Sequence, residues 1–289
     1  MELSERAMLV NLNISSWSAE REDKKAADAV SAKYGSDPSM GKYRKSLVDP
    51  TALKPLQKLQ SEARTRHYEL TLPWGDNGDR IITTEGFWRY REEMNDFAVR
   101  IDEEATRFAE EYPRLVEKAR YDLNGLFRDT DYPSPDTIRS KFGFKTRFKN
   151  LNDAEDFRVK LGTLEQEAIR EQMRLDMESQ LGEAMGDVAK RIRKAVEHMA
   201  ARLRAYNRTP DGKVENKFHD TLVSNVKELA ELVPALNITN DPKVAEIAGE
   251  MRSELARWDA DSLRESVVLR GKVADKAEAI IHKMNGYGL

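Results

Sequence analysis

Arg139, Lys141, Lys145, Arg147 and Lys149 stand within eleven residues that hold no acidic side chain. Grouped cations of this kind bind polyanions. From Phe142 onward, Phe142, Phe144 and Phe148 alternate with Lys145, Arg147 and Lys149, so the two-residue period of a strand sends rings to one face and charges to the other. Successive cations on that face stand about 6.5 to 7 Å apart, comparable with the phosphate spacing of an extended, unstacked nucleic-acid strand. The alternative is an amphipathic edge strand whose charges guard it against aggregation.

Further cations and rings lie upstream. Arg64, Arg66, His67 and Tyr68 precede a hairpin pattern, and Arg80 follows its turn near Trp74. Trp74 either caps the core from a loop or offers a stacking surface. Cations that track phosphates beside rings that stack on bases suit single strands, whose bases are exposed only when the duplex is open. Arg191, Arg193, Lys194, Arg202, Arg204 and Arg208 form another basic run, read as a solvated or oligomer-facing surface.

Catalytic constellations are missing. His67, His198, His219 and His282 are scattered and lack metal-ligand spacing, and there is no cysteine, which removes thiolate nucleophiles, disulfides and cysteine metal sites. No phosphate-binding glycine loop, dinucleotide fingerprint or nucleophile elbow occurs. The pairs Asp76 and Asp79, Asp129 and Asp131, and Asp259 and Asp261 fit turns and helix caps. The expectation is a protein that is not an enzyme and needs no metal or cofactor.

The elements that must position the cations follow from periodicity. Met8, Val10, Leu12 and Ile14 alternate as a strand. Helices are expected over 18–34 and from Pro50 or Thr51 to His67, with Lys42, Arg44 and Lys45 in the connection between them. Tyr68, Leu70, Leu72 and Trp74 read as a strand, joined through Gly75 to Gly78 to a second strand at 80–83. Phe87, Tyr90, Met94, Phe97, Ile101, Ala105, Phe108 and Tyr112 form the stripe of a long helix, which Pro113 stops or kinks. A second helix then runs to Phe127, and a short one over 135–141 leads into the basic strand.

Past Asp153 strand signals vanish. A stripe from Leu164 to Tyr206 without proline predicts a helix of about 40 residues, roughly 60 Å long, weakened at Gly182 and Gly186. Shorter helices are expected over 215–232, over 242–258 with Asp241 as N-cap, and over 262–284. The expected fold is therefore α+β and predominantly helical, with residues 1–162 as a nucleic-acid-binding domain built on a small antiparallel sheet. Residues 163–289 form the helical region, expected to drive oligomerisation.

Composition is consistent with this plan. The 289 residues are 34% charged and 39% hydrophobic, enough apolar residues for a core and enough charge for long solvated helices. A formal net charge of -3 excludes coating of nucleic acid by bulk positive charge and leaves only a local basic surface. Neither a signal peptide nor a membrane span is read. A reducing cytoplasm is the expected location.

The run Ala63-Arg64-Thr65-Arg66-His67-Tyr68, then Thr71 through Gly78 with Arg80-Ile81-Ile82, then Phe87 and Tyr90, resembles a family of tailed-bacteriophage proteins. Leu12-Asn13-Ile14-Ser15, Asp23-Lys24-Lys25, and Phe127 through Asp131-Tyr132-Pro133 to Arg139-Ser140-Lys141-Phe142 fit the same pattern. This resemblance covers roughly residues 8 to 160, and within that neighbourhood the chain is similar to the single-stranded-DNA-binding RNA-polymerase cofactors of N4-like phages. The resemblance implies binding of single-stranded DNA, a phage RNA polymerase as partner, and a non-enzymatic part in replication and transcription. It assigns no contact residue by residue. The candidate interface read from the residues is Arg139, Lys141, Lys145, Arg147, Lys149, Arg80, Arg64, Arg66, Tyr68 and Trp74. The rival reading is a helical assembly protein that oligomerises without binding DNA.

Overall fold

The computed structural model describes residues 3–75, 77–151, 162–211 and 213–289. Asp76 and Gly212, both expected in turns, and Asp153 lie outside the described residues. In chain order the elements are α1 (Leu3–Arg6), β1 (Ala7–Ser15), β2 (Glu20–Glu22), α2 (Lys24–Tyr34), β3 (Arg44–Ser46), α3 (Lys54–Leu70), β4 (Leu72–Pro73) and β5 (Arg80–Thr83). Then come α4 (Thr84–Leu123), α5 (Pro135–Ile138), β6 (Gly143–Asn150), α6 (Thr163–Ala205), β7 (Asn207–Arg208) and β8 (Val214–Glu215). The chain ends in α7 (Thr221–Leu236), α8 (Pro242–Glu250), α9 (Ala260–Glu265) and α10 (Val267–Tyr287). The fold is α+β and predominantly helical, as the periodicities require.

Contacts group the chain into two compact units that interleave in sequence. One comprises residues 1–11, 68–88 and 148–289, the other residues 12–67 and 89–147. The chain crosses between them inside β1, α3, α4 and β6 rather than in loops. A boundary drawn on composition marks where the chain changes character, whereas these units mark spatial contact.

In the first unit, β5 pairs antiparallel with β4, Leu72 opposite Ile81, and with β1, Leu9 opposite Ile81. The sheet order is β4-β5-β1-β6, which leaves β6 at an edge. Gly75 and Gly78 close the hairpin turn with φ of 61° and 72°, values a side chain would strain. Behind the sheet, α6 packs along α10 and against α7. Val188, Ile192, Val196, Met199 and Leu203 on α6 are buried, as are Val273, Ala277, Ile280 and Met284 on α10. Thr83 Oγ1 donates to Ala235 O at 2.7 Å, tying β5 to α7. The Asp241 cap of α8 is present, accepting from Lys243 N at 2.8 Å.

The second unit is built on α3 and α4. Leu56, Ala63, Ile101, Ala105, Phe108, Tyr112, Ile138 and Phe142 share one core. Trp17 is packed edge-on to Tyr112 at 5.6 Å. Lys45, expected in an open connection, is instead 3% exposed on β3. Its Nζ lies 3.0 Å from Asp23 Oδ2 and 2.7 Å from Asp131 Oδ2, and donates to Leu126 O at 2.5 Å. The Lys45 hydrogen bond is the main cause that lowers the Asp23 pKa. Burial works against the Lys45 ammonium, but Asp131 and Asp23 outweigh it and raise its pKa.

Several boundaries differ from expectation. Residues 20–22 pair with β3, and the helix starts only after Asp23, whose carboxylate caps it by accepting from Ala26 N at 3.2 Å. The strand expected over 68–74 shrinks to two residues because α3 continues through Leu70. Its buried positions Leu56, Gln60, Ala63, His67 and Leu70 keep helical spacing, and three- and four-residue steps prevail over a short alternation. The helix expected over 215–232 begins at Thr221, after the β7–β8 hairpin. That expected over 242–258 is α8 followed by a π-helical turn at Met251–Leu255.

Pro113 does not end the long helix: α4 runs through it for 40 residues. A proline here lacks the N–H that would bond back along the helix, while Tyr112 and Phe108 keep the apolar stripe in register across it. Pro113 is exposed, so alanine would lose little packing. We expect Pro113→Ala to raise stability by about 1 to 3 kcal/mol, measured as a higher urea midpoint. An unchanged or lower midpoint would refute a proline penalty at this position.

Candidate nucleic-acid interface

The basic strand is present as β6, and its alternation orders the side chains much as the sequence requires. Phe142 is buried and Phe144 packs against the same core, while Lys145, Arg147 and Lys149 are exposed. Lys145 and Arg147 have no ion-pair partner among the described residues. Lys149 pairs with Asp79, Nζ to Oδ2 2.6 Å. Gly143 permits the entry of the strand: a Cβ there would lie 2.7 Å from Ser15 Oγ. The third ring departs from the anchoring role. Phe148 is 40% exposed, because alternation places it at the outer end of an edge strand where core cover stops.

The other members of the candidate set are placed differently. Arg139 and Lys141 precede the strand in a 3-10 turn. Arg139 is ion-paired with Asp102, donates to Thr106 Oγ1 at 3.2 Å and to Phe142 O at 3.3 Å, and so fastens this turn to α4. Together Arg139 and Asp102 rim a cleft of about 500 Å³ walled by Val99, Phe142 and Phe144. Lys141 is exposed and unpaired among the described residues. Arg64 is exposed on α3. Arg66 instead forms a two-point pair with Glu93, Nη2 to Oε1 2.9 Å. Burial works against the Glu93 carboxylate, yet hydrogen bonds from Arg66 and Arg89 outweigh it and hold its pKa below the usual value.

Arg80 is committed to the fold. Its guanidinium donates to Thr71 Oγ1 at 2.6 Å and Thr71 O at 2.8 Å, and it lies 4.8 Å from the Tyr68 ring centre. Tyr68 itself is exposed. Arg191 reaches the same place, donating to Tyr68 O at 2.8 Å, Glu69 O at 2.8 Å and Thr71 O at 3.0 Å. These carbonyls belong to the end of α3 and the residue after it, where a helix has acceptors without intrahelical donors and the negative end of its dipole. Two guanidinium groups supply what the backbone lacks.

In the remaining basic run Lys194, Arg202, Arg204 and Arg208 are exposed, as expected of a solvated surface, whereas Arg191 and Arg193 are partly buried. Arg193 donates to Asn285 Oδ1 at 2.8 Å, and Arg204 to Glu278 Oε1 at 3.0 Å, so both join α6 to α10. Trp74 is 7% exposed and lines a cleft of about 250 Å³ with Leu9, Leu151, Met173 and Met177. Its ring caps the apolar interior and does not present a face for stacking.

Sequence reasoning missed an exposed aromatic group. Trp88 is 69% exposed on α4, and the Phe87 ring lies 5.2 Å from both Trp88 and Phe148. The signal was available: Trp88 falls outside the stripe of Tyr90, Met94 and Ile101, so helical spacing turns it outward.

No group of three or more His, Asp or Glu side chains suited to a metal ion occurs among the described residues. Among them, no helix is long and apolar enough to cross a membrane. A family model described as a protein of unknown function, DUF3150, matches residues 4–257. No curated protein and no solved structure matches the chain.

Proposed function

The chain belongs to the DUF3150 family, whose function is unknown, and we propose from its own residues that it is a sequence-tolerant single-stranded-DNA-binding protein of a bacteriophage. In this reading it acts without catalysis in the host cytoplasm, as a cofactor in phage transcription and replication with the phage RNA polymerase as partner. The observation that carries the reading is the row Lys145, Arg147 and Lys149, exposed along an edge strand in a chain whose net charge is -3. Its spacing of about 6.5 to 7 Å suits successive phosphates of an extended strand. Arg64 and Lys141 remain phosphate candidates because they are exposed. Arg80, Arg66 and Arg139 are spoken for by carbonyls and carboxylates.

Fluorescence anisotropy with a labelled single-stranded oligonucleotide and the matching duplex, titrated at several salt concentrations, tests the proposal. Single strands are expected to bind more tightly, with affinity falling as salt rises. Replacing Lys145, Arg147 and Lys149 by alanine together should lower the salt slope by about two units, at roughly 0.7 per phosphate contact, with helix content unchanged. Unaltered affinity in the triple variant would discard the row, and absence of binding to either oligonucleotide at low salt would discard the function.

A second reading, self-association, is favoured by the first half of α6. Leu164 and Leu175 there are 78% and 47% exposed. We assign assembly to this half-helix, in which case light scattering should report an oligomer that Leu164→Glu with Leu175→Glu disperses. An assembly protein indifferent to DNA would keep its oligomer and give flat anisotropy titrations.

A further inference from the structure

We propose that single-stranded DNA runs along the seam between β1 and β6, where Asn13 and Ser15 hold its phosphates together with Lys145 and Arg147, and that its bases take no part in the contact. The inference rests on the DNA-binding reading and adds two residues and a mode of contact to it. The faces of the sheet are fixed by its core side. Ile14 of β1, Phe142 just before β6 and Phe144 on β6 all pack on the core of the second unit. Alternation therefore turns Asn13, Ser15, Gly143, Lys145 and Arg147 to the other face, and Asn13, Ser15, Lys145 and Arg147 are exposed there. None of these five is aromatic or acidic.

The two rows lie side by side. β6 neighbours β1 in the sheet, and a Cβ on Gly143 would stand 2.7 Å from Ser15 Oγ, so the entry of β6 meets the end of β1. Further along, Lys149 pairs with Asp79, and Asn11 donates to Gly78 O at 3.0 Å, which makes the two strands antiparallel. Counting two residues along each strand from the contact of Ser15 with Gly143 brings Asn13 to Lys145, on strands about 4.8 Å apart. Among the described residues the side chains of Asn13 and Ser15 have no hydrogen-bond partner, and Lys145 and Arg147 have no ion pair. Charge identifies the occupant: two unpaired cations with no carboxylate among their neighbours on this face suit a polyanion. Neutral amides and hydroxyls beside cations are the groups that hold phosphates in register. Gly143 leaves the Ser15 hydroxyl open, since a side chain there would cover it. The rings of β6 that pack on the core cannot reach this face, so bases find no stacking partner in the two rows and any sequence is accepted.

The full chain would be titrated by fluorescence anisotropy with two labelled probes of equal length: oligo(dT), and an abasic oligonucleotide carrying the same phosphates without bases. Wild type is expected to bind the two alike, whereas one base stack would separate them by about fivefold or more. Asn13→Ala should weaken both about 2- to 10-fold, the range for one hydrogen bond, and leave the salt slope unchanged because no cation is lost. Asn13→Asp sets a carboxylate beside Lys145, so it should weaken both further and lower the slope by about 0.7. Ser36→Asp, which adds the same charge at an exposed residue beyond α2, should match wild type. Wild-type affinity in both Asn13 variants, with circular dichroism unchanged, would overturn the β1 row and leave β6 alone in the site. Equal losses in Asn13→Asp and Ser36→Asp would reduce the effect to net charge and overturn it as well. A preference for oligo(dT) of about fivefold or more would overturn contact without bases. If wild type binds neither probe at low salt, the DNA-binding reading fails first and the seam falls with it.

Discussion

Lys45→Met should destabilise the unit of residues 12–67 and 89–147 by about 3 to 5 kcal/mol, the usual cost of removing one partner from a buried charge cluster. The ammonium lies between the carboxylates of Asp23 and Asp131, all three side chains at most 7% exposed. Methionine fills nearly the same volume, so loss of packing is small, and the two buried carboxylates keep only the half-exposed Arg128, 3.3 Å from Asp23, and Arg21, 3.2 Å from Asp131. Leu126 O also loses its donor. Urea unfolding followed by circular dichroism would measure the change. Adding Asp23→Asn and Asp131→Asn to Lys45→Met should restore part of the loss, since the buried negative charges then disappear and the exposed Arg128 and Arg21 are left to water. A single variant as stable as wild type would show that the cluster is not a structural tie.

The same cluster predicts an acid response. The Asp23 pKa is lowered from 3.8 by Lys45, so its contribution to stability is present above that value and is lost as pH falls through the lower folded one. Asp23→Asn should therefore be less stable than wild type at neutral pH and less sensitive to acid below about pH 4. Urea midpoints across that window would decide, and parallel pH curves would contradict the linkage.

Arg191→Ala comes next in size, at about 2 to 3 kcal/mol. Three carbonyls at the end of α3 lose a charged donor, and Asp187, 2.6 Å from Arg191, loses its counter-charge. Arg80 covers Thr71 O at 2.8 Å but does not replace the donation to Glu69 O. Lysine should recover less than half, because a point ammonium lacks the planar fork that reaches several acceptors at once. Hydrogen exchange over residues 66–72 offers a local readout, with faster exchange expected in Arg191→Ala. Unchanged protection there would mean that the carbonyls are served well enough without it.

These two residues also show where sequence stops being informative. The stripes of α4 and α6 were legible because partners three and four positions apart lie on one helix face, and burial of Tyr90, Met94, Ile101, Ala105, Phe108 and Tyr112 follows directly. The antiparallel pairing of 72–73 with 80–81 was legible from the glycine turn. The role of Lys45 was not, since its partners stand 22 and 86 positions away in sequence. Arg191 was opaque for another reason: its acceptors are backbone carbonyls, and every residue has one. The cation row needed only local alternation and is present as expected. Trp74 and Trp88 look alike in the sequence, but one follows a short strand into the interior and the other sits off a helical stripe.

The four crossings of the chain between its compact units have a consequence for ancestry. Each falls inside a strand or a helix, at residues 11–12, 67–68, 88–89 and 147–148, and neither unit is one uninterrupted segment. No single recombination event, inserting or deleting one stretch of gene, transfers either unit whole. A shuffled module would carry part of β1 or part of α4 without its continuation. Descent of the two as an indivisible pair is what this threading favours, and the match of one family profile across residues 4–257, spanning all four crossings, is the pattern such inheritance leaves.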